Sequence, residues 1–251
     1  MLNIVIPMAG RGSRFSSAGY IDPKPLILLE NKRMIEVVAN NLKPSCPHRF
    51  IFICQQEHLD KYNYKKELER ISPGSIVIGI DGVTEGAACT VMFAEQYIDN
   101  DEPLMIANSD QWVDIDINDY LSKMDIENLD GLIMTMKAND PKWSYAQLNE
   151  KNNVVKVVEK IVVSDEATVG IYNYKRGKDF CLHVRKMIER DERSNGEFYV
   201  APVYTYMYEY NNANIGIYNV GSEADGMYGL GTPADLTLFK SLPVYSKAIL
   251  F

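Results

Sequence analysis

Arg11, Arg14 and Lys24 are the first residues whose types and spacing invite chemistry. The arginines punctuate the stretch Met8-Ala9-Gly10-Arg11-Gly12-Ser13-Arg14-Phe15, and the lysine sits between Pro23 and Pro25. Glycine has no Cβ, so a loop with Gly10 and Gly12 at alternate positions can bring its backbone N–H groups, from Ala9 onward, close to a phosphate. Guanidinium groups match phosphate oxygens in pairs. The flanking prolines hold the point charge of Lys24 on a stiff segment. Together these residues predict a grip on a nucleoside triphosphate. Gly10-Arg11-Gly12 alone also reads as a tight turn with solvated arginines. The third glycine of the dinucleotide fingerprint is missing, since Phe15 stands there, and no lysine follows the last glycine as in a Walker A loop.

Three later stretches also carry candidate chemistry. Asp110 follows the apolar run Pro103–Ala107. A carboxylate after a parallel strand lies where ligands of open α/β sheets bind. Mg²⁺ takes one or two carboxylates plus phosphate oxygens. Asp110 is therefore a candidate metal ligand, with a capping or turn aspartate as the alternative. Asp114-Ile115-Asp116 has the DxD spacing of glycosyltransferases, yet also reads as a cap for the helix pattern that follows. In Thr84-Glu85-Gly86-Ala87-Ala88 the small residues either pack a helix start tightly or leave room for a flat base. The Glu85 carboxylate accepts hydrogen bonds, as from an exocyclic amino group of cytosine.

The elements that must position these groups alternate in type. Ile4–Pro7, Phe50–Cys54, Ile76–Ile80, Pro103–Ala107 and Gly131–Met136 are apolar runs that read as buried strands. Met34–Leu42, Leu59–Ile71 and Ala87–Ile98 have helical apolar spacing between them. Strands alternating with helices predict βαβ units and a parallel sheet covered on both faces. Ala146–Asn149 and Val154–Val158 read as a hairpin turning at Lys151-Asn152-Asn153, which delivers Glu159-Lys160. Ala167–Tyr174 is a further strand. Lys178–Arg190 is a helix, Ile215–Val220 a late strand, and Gly229-Leu230-Gly231-Thr232-Pro233 opens a last helix over Ala234–Leu242.

The opening stretch and its Pro-Lys-Pro sequel resemble the signature of the sugar-nucleotidyltransferases, or nucleoside-diphosphate-sugar pyrophosphorylases. The resemblance covers nearly the whole chain. It implies a single Rossmann-like (GT-A-like) α/β domain with a mixed, mostly parallel sheet flanked by helices. About residues 1–130 would be the nucleotide-binding half and 131–251 the acceptor-binding half. It also implies roles. Gly10 and Gly12 hold the triphosphate, Arg14 its outer phosphates, and Lys24 the phosphate that is attacked. Ala9 and Glu85-Gly86-Ala87 belong to the nucleotide site, with Glu85 where relatives often carry glutamine. Asp110 holds Mg²⁺, Lys160 the acceptor phosphate, and Gly170 and Glu197 face the acceptor. Many relatives have a second metal-binding aspartate where this chain has Gly229, so Asp225 is the candidate substitute. Within the family the chain looks most like the small capsule-locus cytidylyltransferases of phosphoramidate synthesis, which join CMP to phosphoglutamine. That implies CTP and a phosphorylated small-molecule acceptor. The alternatives are a thymidylyl- or uridylyltransferase acting on a sugar 1-phosphate, a GT-A glycosyltransferase, and a non-catalytic nucleotide-binding module.

Composition narrows the classes. The 251 residues are 46% apolar and 24% charged, with a formal net charge of −8. An acidic chain disfavours nucleic acid. Any nucleotide must then bind through local positive charge, backbone N–H groups and a divalent cation. The apolar runs are too short to span a membrane, and no basic region precedes the first one, which argues against a signal peptide. Cys46, Cys54, Cys89 and Cys181 are scattered without a CxxC, the usage expected of a reduced cytoplasmic protein.

Overall fold

The computed structural model describes all 251 residues. Strand β1 (Leu2–Pro7) ends in the glycine loop. Helix α1 (Ser13–Ser17) follows, pinned by Phe15, which is 1% exposed and packs edge-on against Tyr20. A single 3₁₀ turn over Lys24–Leu26 leads to the short ribbon of β2 (Leu28–Leu29) and β3 (Lys32–Arg33), then to α2 (Met34–Asn41). Strand β4 (His48–Gln55) precedes α3 (Gln56–Tyr62), α4 (Tyr64–Ile71) and β5 (Ile76–Ile80). Helices α5 (Ala87–Met92) and α6 (Glu95–Ile98) lead to β6 (Leu104–Ala107), β7 (Gln111–Val113) and α7 (Ile117–Ile126).

The later part adds β8 (Gly131–Lys137), the hairpin β9 (Ser144–Leu148) and β10 (Val154–Glu159), and the long buried β11 (Glu166–Tyr174). Helices α8 (Gly177–Glu189) and α9 (Val203–Asn211) then precede β12 (Ile215–Glu223) and β13 (Gly226–Gly229). Helices α10 (Pro233–Ser241) and α11 (Val244–Ile249) close the chain.

The main sheet runs β5-β4-β1-β6-β11-β8-β12-β13-β7, and five of the eight pairings along that path are parallel. Both faces are apolar because both are covered. Ile4 and Ile6 point to one buried cluster with Val37, Leu68, Tyr120 and Phe239, whereas Val5 points to another with Val91, Phe180 and Met207. Helices thus flank a mixed α/β sheet, as expected.

Some expected elements need correction. The charged helix over Leu59–Ile71 is two helices, broken where Asn63 takes a left-handed conformation, φ 50°. The pattern through Ile98 is likewise split into α5 and α6. Helices α9 and α11 and strands β7 and β13 carry no strong periodicity and go unread in the sequence. Asp116 caps α7, its carboxylate accepting from the Asn118 N–H at 2.8 Å, and Asp114 pairs with Lys247. Both acids of the DxD spacing therefore have structural partners. No helix is long and apolar enough to cross a membrane.

Candidate active site

Two loops meet where β1 and β6 end. Gly12 adopts φ +60°, and a Cβ built there would lie 3.4 Å from the Cβ of Lys24, so the glycine loop rests against the Pro-Lys-Pro segment. A Cβ at Gly10 would meet nothing within 4 Å, so no packing contact requires that glycine and its flank is open. The 3₁₀ turn fixes Lys24 through buried Pro25 and Leu26. From there the Lys24 Nζ reaches the Asp110 Oδ2 at 2.8 Å. Arg11 and Arg14 are exposed and make no ion pair, so their guanidinium groups are free for a ligand. The structure thus brings Ala9, Gly10, Gly12, Lys24 and Asp110 to one edge of the sheet.

Beside this edge lies a pocket of about 190 Å³ whose walls include Ala87, Gln111, Trp143, Glu159, Lys160 and Tyr199. Gly170 lines it too. Strand β11 is irregular against β8 between Thr168 and Tyr172, and Gly170 takes φ +81° there. A Cβ at Gly170 would collide with the Asn108 amide and lie 2.7 Å from the Gln111 Oε1. The glycine therefore lets β11 pass close to the end of β6, where the Asn108 N–H donates to the Gly170 carbonyl at 2.9 Å. Lys160, at the end of the hairpin, has φ 57° and an exposed side chain.

Glu159 is only 9% exposed and makes no ion pair. Burial pushes its carboxyl above the ordinary value, nearby Glu197 adds to the rise, and Ser144 and Lys160 oppose it. The same two carboxylates, after burial, raise the Tyr199 hydroxyl. Glu197 itself is exposed in a tight turn that bridges back to Ser194. The Gln111 Oε1 and the Trp143 Nε1 are buried without a hydrogen-bond partner.

The base-proximal stretch differs from its expectation. Gly86 takes φ +137°, and a Cβ there would lie 2.5 Å from the Phe198 backbone nitrogen. The Phe198 N–H donates to the Glu85 carbonyl at 2.8 Å, and the Ala88 N–H to the Phe198 carbonyl at 3.0 Å. The small residue at 86 is thus explained by backbone packing against the 195–200 loop. The Glu85 carboxylate pairs with Arg193 rather than standing free. Ala87, the next residue, does face the pocket.

Asp225 is a correction. Gly229 pairs with Gln111, and the Leu230 N–H donates to the Asp110 carbonyl at 2.7 Å. Asp225 lies beyond the opposite end of β13, about 13 Å away at the rise of an extended chain, near Asp114. It does not meet Asp110. The atoms nearest a Cβ built at Gly229 all belong to Asp235, whose Oδ2 would be 3.8 Å away. Sequence reading missed Asp235. Its signal was the Thr-Pro-Ala-Asp opening of α10, where the Asp235 N–H donates to the Thr232 Oγ1 at 3.1 Å. Gln55 was missed as well. Its buried amide donates to the carbonyls of Ala9 and, at 2.7 Å, Gly82, tying the glycine loop to the loop after β5.

The donor set fits one divalent ion shared with a phosphate ligand. Asp110 offers one carboxylate, and Gly231 leaves its flank clear, since a Cβ there would stand 3.0 Å from the Oδ2. No three acidic, histidine or cysteine side chains are grouped so that they alone could hold a metal ion. One carboxylate suffices for Mg²⁺ when phosphate oxygens and water complete the shell. Two roomier clefts, about 340 and 460 Å³, are lined by Leu2 and Pro103 and by His48 respectively. Those residues start or precede parallel strands, whereas ligands of such sheets sit at the carboxyl ends.

A family model for nucleotidyl transferases matches residues 4–207. The mannose-1-phosphate guanylyltransferase catalytic subunit beta of Dictyostelium discoideum is 26% identical over 183 residues, covering 68% of this chain and 49% of that protein. The chain therefore spans about half the length of that curated relative. The fold matches the nucleoside-diphosphate-sugar pyrophosphorylase from Vibrio cholerae RC9 with a TM-score of 0.78 at 24% identity, covering 95% of this chain and 100% of the other. It matches the inositol-1-phosphate CTP transferase from T. maritima with a TM-score of 0.73 at 19% identity, covering 98% and 95%. At these identities the solved structures share the fold.

Proposed function

The chain belongs to the nucleotidyl transferase family, and from that premise we propose that it transfers a nucleoside monophosphate from a triphosphate to a phosphorylated small molecule. The observation that carries this reading is the convergence of the glycine loop, Lys24 and Asp110 at the carboxyl ends of β1 and β6, with Lys24 and Asp110 2.8 Å apart. An acceptor phosphate oxygen attacks the α-phosphorus, the bond to the bridging oxygen breaks, and pyrophosphate leaves with that electron pair. No proton need move, because the attacking oxygen is already anionic.

In this reading the chain positions and neutralises charge, the usual mode of phosphoryl-type transfer. Gly10 and Gly12 approach the triphosphate. Arg14 holds the leaving phosphates and Lys24 the charge at the α-phosphate. Asp110 would hold Mg²⁺, which neutralises the triphosphate and aligns it. Lys160 takes the acceptor phosphate, and Glu159, Glu197 and the β11 backbone at Gly170 read the rest. Ala87 lies on the base side.

CTP is the favoured nucleotide, and phosphoglutamine, in capsule synthesis, the favoured acceptor, on the resemblance to capsule-locus cytidylyltransferases. The CTP-using T. maritima neighbour supports cytidylyl transfer. The relative named for mannose 1-phosphate and guanylyl transfer favours a second reading, a sugar 1-phosphate acceptor with GTP or, as the sequence resemblance allows, UTP or dTTP. The test is pyrophosphate release with Mg²⁺ from CTP, UTP, dTTP, ATP and GTP. Each is paired with phosphoglutamine, glucose 1-phosphate, mannose 1-phosphate and inositol 1-phosphate. Release that needs one nucleotide and one acceptor names both substrates. Nucleotide binding without release from any pair overturns the transferase reading.

A further inference from the structure

Lys24 and Asp110 are each other's sole ionic partners within 4 Å. Their side chains are 21% and 20% exposed, so the pair is largely shielded from water and screening by salt is weak. The ammonium lies on the same carboxylate that would hold a divalent ion, and no other carboxylate comes within 4 Å of that ammonium to share the load. Two cations on one partly buried carboxylate repel one another. A triphosphate changes that balance, since its oxygens can take the ammonium and also complete the shell of the ion.

We infer that Lys24 gates the metal site: it holds divalent metal off Asp110 until the triphosphate arrives and takes the ammonium in exchange. Metal and nucleotide then bind as a coupled pair, and by linkage each strengthens the other. Lys24 thereby has a positioning role in assembling the site, separate from stabilising charge at the α-phosphate. The inference rests on the nucleotidyl-transfer reading for the identity of the nucleotide, but it is tested without turnover.

The experiment measures Mn²⁺ affinity of the full chain without nucleotide, from loss of the free Mn²⁺ electron-spin-resonance signal. Wild type is compared with Lys24→Met, Lys24→Gln, Lys24→Arg and the double variant Lys24→Met/Asp110→Asn, each checked for native circular dichroism. Lys24→Met and Lys24→Gln should bind Mn²⁺ at least about fivefold more tightly than wild type, the low end of ordinary coupling energies. Lys24→Arg, which keeps the cation, should match wild type, and the double variant should lose the gain. Equal affinity of wild type and the neutral variants overturns the gate. So does a gain that survives Asp110→Asn, which would place the ion elsewhere. A gain at Lys24→Met, when the wild-type chain releases no pyrophosphate, would leave the gate standing and remove the transferase reading alone.

Discussion

At the scale of single residues, the site depends on a few charges whose surroundings set their strength. Lys24 is held by a buried turn and aimed across to Asp110. Replacing it with alanine should lower turnover about a hundredfold or more, the scale for removing one preorganised donor. Pyrophosphate release at saturating substrates checks this, and wild-type turnover would remove the role. Glu159 carries a different prediction. Burial raises its carboxyl above 4.5, so the folded chain binds a proton more readily than the unfolded one. Between 4.5 and the raised value, stability therefore falls as pH rises. That loss of stability is present at pH 7, so Glu159→Gln should raise Tm there. The gain should vanish below about pH 4.5, where both states are protonated. The same variant should raise the acceptor KM with little effect on the nucleotide KM. A Tm gain independent of pH would rule out the carboxyl as its source.

At the scale of elements, close approach decides what each glycine does. Gly86 and Gly170 both hold backbone conformations that other residues rarely adopt, and both abut another chain segment. Gly86→Ala would drive a Cβ into the Phe198 backbone and break the docking of the 195–200 loop on the start of α5. A loss of about 1–3 kcal/mol is expected, the cost of such strain. Urea unfolding would measure it, and an unchanged midpoint would show that the loop yields freely. Much of this layer was visible beforehand. The strand-to-loop signals at Pro7 and Ala107 and the hairpin leading to Lys160 follow from local pattern. Phe198 as the neighbour of Gly86 does not, because 112 residues separate the two and no periodicity links them. The broken helix at Asn63 was missed for another reason. Charged helical spacing continues across it, and only the left-handed turn interrupts the hydrogen bonds.

At the scale of the whole molecule, two buried clusters sandwich one mixed sheet, and the cysteines report on it. Cys46 is exposed, Cys89 is intermediate, and Cys54 and Cys181 are buried. Burial pushes the Cys181 thiol up to about 12 and the Cys54 thiol higher still. A thiol-specific reagent at neutral pH should modify Cys46 quickly and Cys89 slowly. Cys54 and Cys181 should react only as the sheet unfolds, together and with the loss of circular dichroism. Early reaction of Cys181 alone would mean that α8 opens independently of the sheet. The parallel pairing among β1, β4, β5 and β6 follows from the alternation of strands and helices, whereas their order in the sheet does not. Nor does the insertion of β11 between β6 and β8, although it carries Gly170 to the site.

The sequence by itself determined the glycine loop after β1, the stiff lysine, the carboxylate after β6 and the α/β class. Each of these is written within a few residues and rests on local backbone chemistry. Tertiary structure alone decided which groups meet. It paired Lys24 with Asp110, placed Asp235 rather than Asp225 beside Gly229, and gave Glu85 to Arg193. It also buried Glu159 in the pocket wall. Those outcomes depend on strand order and on crossovers spanning tens of residues. Their physical cause is the burial of both faces of the sheet, a property of the assembled chain that no single stretch encodes.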